Sequence, residues 1–281
     1  MTLTTQDHDR AAAGLTYVYP VLSRRAGGVS LGVNLNVNNA CNWGCIYCQV
    51  PNLQRGGPPA IDLGRLAAEL RQMLDAMVLG DYLAKAVPEG LRRLNDIALS
   101  GNGEPTSAEE FPEVVALIGR LIEAYGLTGQ VKPLLISNGS LIHRPSTRLG
   151  LTALARLGGE TWFKLDRATP NGLRRVNQTE RRPEQVLRAL IQCARLCPTW
   201  VQTCVFSIDG VPPEAPEINA YLSMLRAALE AGAPLRGVLL YGLARPSMQP
   251  EAARLGRLPE AWLADLAARI DGLGLPTRLF P

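Results

Sequence analysis

Residues Asp96–Ser137 read DIALSGNGEPTSAEEFPEVVALIGRLIEAYGLTGQVKPLLIS, and the order of signals within them decides the fold. Asp96–Leu99 is a short apolar run ended by a glycine loop, which predicts a strand buried on both faces. Ser107 and Glu110 have capping-box spacing, and Ala108–Tyr125 reads as a helix. Pro133–Ser137 is a second buried strand. Strand, loop, helix and strand make one parallel unit with a right-handed crossover.

The same order extends in both directions. Gly32–Val37, Thr161–Asp166, Val201–Ile208 and Gly237–Tyr241 are further strand-like runs. Ile61–Ala76, Ser146–Leu157, Pro183–Cys197, Glu217–Ala231 and Pro259–Ile270 are helix-like. Arg182-Pro183-Glu184 puts proline in a first turn, and Val186, Leu187, Leu190 and Ile191 follow at helical spacing. Six alternations predict an α/β fold with parallel strands, either doubly wound or a partial (β/α)6 barrel. Periodicity does not choose between them. Residues 1–31 read as an N-terminal extension whose Tyr17–Val21 cluster packs on the domain, 32–246 as the core, and 247–281 as a C-terminal helical segment.

Of the 281 residues, 47% are hydrophobic and 19% charged, which excludes disordered, collagen-like and coiled-coil classes. No apolar run approaches the roughly 18 residues of a membrane span. Asp7 and Asp9, with no apolar block after a basic start, argue against a secretory signal. A net charge of +4 is too small to argue for nucleic acid by itself. A cytoplasmic protein with no membrane partner is expected.

Three of the six cysteines, Cys41, Cys45 and Cys48, form C-x3-C-x2-C directly after the first strand-like run. That is no disulfide framework. A compact turn can aim three thiolates at one point. Zinc would want a fourth ligand, and no further Cys or His follows until His143. A redox pair needs only Cys45 and Cys48 and leaves Cys41 unexplained. A four-iron cluster usually takes four thiolates, so three leave one iron open. Cys193 and Cys197 share a helix face and, with Cys204, offer an auxiliary cluster, although buried cysteines more often act as small hydrophobes.

The cysteine spacing, with Tyr47 before the last cysteine, resembles the signature of radical S-adenosylmethionine (SAM) enzymes. The resemblance implies a partial (β/α)6 barrel. It implies a [4Fe-4S] cluster on Cys41, Cys45 and Cys48, SAM on the open iron, and Tyr47 against the adenine. An electron donor such as flavodoxin or ferredoxin would serve it. Reduction would cleave SAM to a 5′-deoxyadenosyl radical that abstracts hydrogen from substrate. Gly101-Asn102-Gly103-Glu104-Pro105 is similar to the family's Gly-Gly-Glu-Pro motif, which implies that this segment binds the SAM ammonium. The Asn or Ser that often faces the SAM ribose or carboxylate in such proteins is matched by Asn138.

In a barrel, chemistry gathers at the C-terminal strand ends. Lys164 and Asp166 share a face at period two and form either a structural ion pair or a pair that reads SAM and substrate. Gln202 and Cys204 share one face of their strand, while Thr203, Val205 and Ser207 share the other; which one points inward is not readable. Backbone near Tyr241 is a candidate adenine contact, and Arg245 a candidate for a carboxylate or phosphate. Arg167, Arg174 and Arg175 crowd the segment after the fourth strand. They read as a solvated face or as a site for an anionic substrate or RNA, although the segment lacks stacking aromatics.

Tyr19-Pro20-Val21-Leu22-Ser23-Arg24-Arg25, Val33-Asn34-Leu35-Asn36 and Tyr241 with Ala244-Arg245-Pro246 resemble a bacterial group near the wybutosine-synthesising radical SAM branch. Residues 1–40 hold no cysteine for that branch's second cluster, and no flavodoxin-like domain is present. A radical SAM enzyme of unassigned substrate is therefore the expectation. The alternatives are tRNA-base modification and a non-catalytic iron–sulfur protein.

Overall fold

A computed structural model of the chain describes residues 3–4, 14–23 and 27–280. Its centre is one eight-stranded sheet: β1 (Val18–Ser23), β2 (Gly28–Val33), β3 (Leu94–Leu99), β4 (Lys132–Ser137), β5 (Glu160–Lys164), β6 (Thr199–Cys204), β7 (Leu235–Tyr241) and β8 (Thr277–Phe280). The strands lie side by side in chain order. β1 pairs antiparallel with β2, and every later neighbour is parallel. A doubly wound sheet would reverse its order at a switch point. This sheet does not, and it is a curled, open partial barrel.

The helices α1 (Leu63–Leu74), α2 (Phe111–Ala124), α3 (Pro145–Arg156), α4 (Pro183–Leu196), α5 (Ala215–Glu230) and α6 (Glu260–Asp271) separate the strands. Period-two alternation sorts each strand's side chains. Ile97, Leu99, Leu135, Phe163, Val201, Val238 and Leu240 join the helices' apolar stripes in the main core. Ala98, Leu134, Trp162 and Leu239 form a separate cluster on the concave face. Thr203 faces the helices, where its hydroxyl pairs with Tyr221 at 2.8 Å, so Gln202 and Cys204 point inward.

Three sequence expectations are corrected. The first parallel strand ends at Val33, not Val37. Asn34 Oδ1 accepts from the backbone N–H of Asn36 and Asn102, turning the chain out of the ladder. Residues before it form a hairpin strand, held further by Glu69 of α1, which accepts from the N–H groups of Thr16, Tyr17 and Val18. Second, Ser107 does not cap α2. Its hydroxyl donates to the Glu104 carbonyl, and Glu110 accepts from Ile61 N–H instead. Third, residues after 247 carry a strand as well as a helix, because β8 extends the parallel sheet beside β7. Arg24 and Arg25 of the resembling string lie outside the described residues. Among the described residues no helix is long and apolar enough to cross a membrane.

Candidate functional site

The C-terminal strand ends surround a cavity of about 290 Å³, near the lower end for small-molecule sites. Cys41, Cys45 and Cys48 all line it, half-buried. Their loop is clamped on two sides. Gly44 N–H and Ile46 N–H donate to the carbonyls of Asn177 and Val176, at 3.1 and 2.9 Å. The loop after β7 supplies Ser247 Oγ to the Ile46 carbonyl at 2.7 Å. Met248 N–H and Gln249 Nε2 both donate to the Cys48 carbonyl. No three His, Cys, Asp or Glu side chains among the described residues are placed to hold one metal ion. A cubane asks for something else, because each thiolate binds a different iron. Burial pushes the Cys41 thiol up to about 11 and the Cys45 thiol up to about 12. Metal ligation deprotonates such thiols outright.

Asparagines lace three loops together beside the cysteines. Asn36 Nδ2 donates to the Ala40 carbonyl, Asn102 Nδ2 to Asn39 Oδ1, Asn138 Nδ2 to Asn42 Oδ1, and Asn42 Nδ2 to Ser140 Oγ. Gly101 has φ +141°, a region that favours glycine, and a Cβ there would press on Asn34. A Cβ on Gly103 would collide with the Ala40 carbonyl, next to Cys41. Gly103→Ala is therefore expected to destabilise the protein by about 1–3 kcal/mol and to displace Cys41. Denaturant unfolding and iron retention after reconstitution measure both effects; unchanged values would contradict this packing.

Glu104 is 2% exposed. Its carboxylate accepts from Thr106 N–H, Thr106 Oγ1, Ser137 Oγ and Asn138 N–H. Burial raises its pKa against the pull of these donors. It joins the loops after β3 and β4 and lines the cavity.

Lys164 and Asp166 are linked through Tyr47 rather than by a direct ion pair. Lys164 Nζ donates to the Tyr47 hydroxyl at 2.6 Å, which donates onward to Asp166 Oδ2 at 2.5 Å. Asp166 also accepts from Asn177 Nδ2 at 2.8 Å and from Cys204 N–H at 2.9 Å. Burial is the largest single influence and opposes the charge on Lys164, but Asp166, Tyr241, Cys45 and Cys204 together outweigh it and hold the ammonium above its ordinary range. The Tyr47 ring packs 5.3 Å from Phe206 and lies 4.8 Å below Lys164 Nζ.

The structure brings Tyr47, Gly101, Asn102, Gly103, Glu104, Asn138, Lys164, Tyr241 and Arg245 to the cavity, with Asp166 just behind Tyr47. The arginine segment stays away. Arg167 is buried, donates to the carbonyls of Asp166 and Cys204, and stacks 5.1 Å from Phe206. Arg174 and Arg175 are exposed on a π-turn, Leu173–Asn177, outside the cavity wall. Cys193 and Cys197 are buried in the main core, whereas Cys204 lines the cavity on the other face of the sheet. This split fits the reading of Cys193 and Cys197 as small core hydrophobes rather than the auxiliary-cluster alternative. Gln202, Asn34, Asn36, Asn42 and Asn177 were not assigned from sequence. Asn42 and Asn177 reach partners on distant segments, at Ser140, Asn138, Cys45 and Asp166, which no local signal reveals.

The residues present fit an iron–sulfur cluster and SAM. Three thiols offer soft ligands. Lys164 offers a cation for a carboxylate. The buried oxygens Gln202 Oε1 and Asn102 Oδ1 have no donor among the described residues and border the cavity, so they are available to a ligand's N–H or O–H groups.

No family model matches the chain. A UPF0026 protein of Helicobacter pylori is 25% identical over 213 residues, covering 74% of this chain and 61% of that protein. A Synechocystis UPF0026 protein is 27% identical over 160 residues, covering 57% of this chain and 51% of that one. The match thus spans about three-fifths of the Helicobacter relative's length. Among solved structures, a radical SAM methyltransferase from Sphaerobacter thermophilus superposes with a TM-score of 0.60 at 16% identity, covering 94% of this chain and 69% of that one. A spore photoproduct lyase mutant gives 0.55 at 12% identity, covering 86% and 74%. These likenesses establish the fold as the partial barrel of radical SAM enzymes.

Proposed function

We propose that the chain is a radical SAM enzyme. The observation that carries this reading is the meeting of three free thiols, the Lys164–Tyr47–Asp166 chain and the Glu104–Asn138 loops at one cavity over parallel strand ends. Cys41, Cys45 and Cys48 would hold a [4Fe-4S] cluster. When bound and reduced, by a donor such as flavodoxin or ferredoxin, the cluster would supply the electron that cleaves SAM to methionine and a 5′-deoxyadenosyl radical able to abstract hydrogen.

The chain's own residues bind and shield. Lys164, its charge fixed by Tyr47 and Asp166, orients the cofactor's carboxylate. Gly101, Asn102 and Gly103 let the backbone approach the cofactor's ammonium, on a loop held by Glu104. Asn138 and Gln202 offer polar contacts to ribose or substrate. Tyr47 and Tyr241 border the adenine region. Leu134, Ile136, Trp162 and Phe280 wall the concave face and keep water from the reacting atoms. Arg245, at the cavity, is suited to an anionic group on the substrate. Arg174 and Arg175 fall outside this assignment.

The test is anaerobic reconstitution with iron and sulfide, then dithionite and SAM, with 5′-deoxyadenosine and methionine quantified. Both products are expected in equal amounts. A reconstituted, reduced protein that leaves SAM intact would count against the reading.

A further inference from the structure

Asn177 is fully buried at the end of the π-turn Leu173–Asn177, with Gln178 in a left-handed conformation behind it. The turn brackets Cys45, since its last two carbonyls accept from the backbone on either side, at Gly44 and Ile46. Between these bonds, Asn177 Nδ2 lies 3.3 Å from Cys45 Sγ and 2.8 Å from Asp166 Oδ2. A carboxamide nitrogen carries two hydrogens. One is committed to Asp166, and that bond aims the other at sulfur. Asp166 is itself fixed by Tyr47 and Cys204. The amide's oxygen, Oδ1, is buried without a partner among the described residues. Burying an unpaired carbonyl is unfavourable, so packing alone does not account for an amide here. Its NH2 group makes every contact the side chain has to a polar atom.

We propose that Asn177 is a positioning residue that donates an N–H to the Cys45 thiolate and thereby raises the reduction potential of the cluster bound there. The assignment rests on the iron–sulfur reading above. Reduction adds negative charge to the cluster and its thiolates. A donor held against one sulfur stabilises the reduced state more than the oxidised one. The Asp166 bond keeps that donor from rotating away.

The experiment uses the reconstituted full chain and its Asn177→Leu and Asn177→Ala variants, titrated with dithionite and followed by electron paramagnetic resonance. Both variants are expected to hold the wild-type content of iron and sulfide. At the wild-type midpoint their reduced-to-oxidised ratio should fall about tenfold, which is 59 mV for one electron. A second readout needs no variant: wild-type protein labelled with 15N-asparagine should show a nitrogen coupling to the reduced cluster in pulsed spectra. Full clusters with an unchanged midpoint overturn the assignment and leave the radical SAM reading standing. If the variants lose the cluster, the labelled wild type decides, and an absent coupling overturns the proposal. A wild-type chain that takes up no cluster overturns both.

Discussion

Cys45→Ala is expected to lose the cluster almost completely, with iron and sulfide falling from a four-iron complement to near background after reconstitution. The fold should survive. Cys45 belongs to a loop packed on the small Ile46, Tyr47 and Phe206 cluster rather than to the main core. Truncating it should cost about 1 kcal/mol, the ordinary value for a single substitution. Metal analysis paired with circular dichroism separates the two effects. A folded variant with full iron and sulfide would remove Cys45 from the ligand set.

Asp166→Ala is expected to be the most destabilising change among the site residues. Asp166 is 4% exposed, and its carboxylate takes three donors from three separate segments. It also balances Lys164. Removing it leaves the Tyr47 hydroxyl, the Asn177 amide and the Cys204 N–H without their acceptor, and the ammonium without its counter-charge. Breaking a buried charge arrangement in this way costs about 3–5 kcal/mol. Urea unfolding gives the value, and equilibrium binding of SAM should weaken in parallel as Lys164 loses its fixed position. Asp166→Asn keeps one acceptor and should fall between the two. A midpoint equal to wild type would mean that the Lys164–Tyr47–Asp166 chain does not hold the site.

The sheet was legible because its strands are buried on both faces, and continuous apolar runs such as Asp96–Leu99 and Pro133–Ser137 survive in any register. Glycine and polar residues at the strand ends marked the side on which the chemistry gathers. The β1–β2 hairpin was missed because the run Gly32–Val37 reads as one strand, whereas the Asn34 side chain, accepting from Asn36 and Asn102 N–H, turns the chain out after Val33. The cysteine motif was readable from spacing. The network around it was not, since Asn42 bonds residues about a hundred positions away and Asn177 reaches Cys45 across 132. Spacing put Lys164 near Asp166, but the bridging hydroxyl of Tyr47 is a tertiary fact. The arginine run could be read only as alternatives, because charge in sequence says nothing of direction, and the solvated-face reading fits Arg174 and Arg175. Arg167 turned inward onto carbonyls, and Arg174 and Arg175 turned outward.

The central claim is that the cavity holds a cluster with one iron open to SAM. Electron paramagnetic resonance on the anaerobically reconstituted, dithionite-reduced protein, recorded with and without SAM, tests it most directly. The account predicts a reduced four-iron signal that changes shape when SAM is added. A signal indifferent to SAM would contradict the open site and leave a cluster-binding protein without this chemistry. No iron–sulfur signal, with zinc bound instead, would contradict the ligand assignment of Cys41, Cys45 and Cys48 altogether.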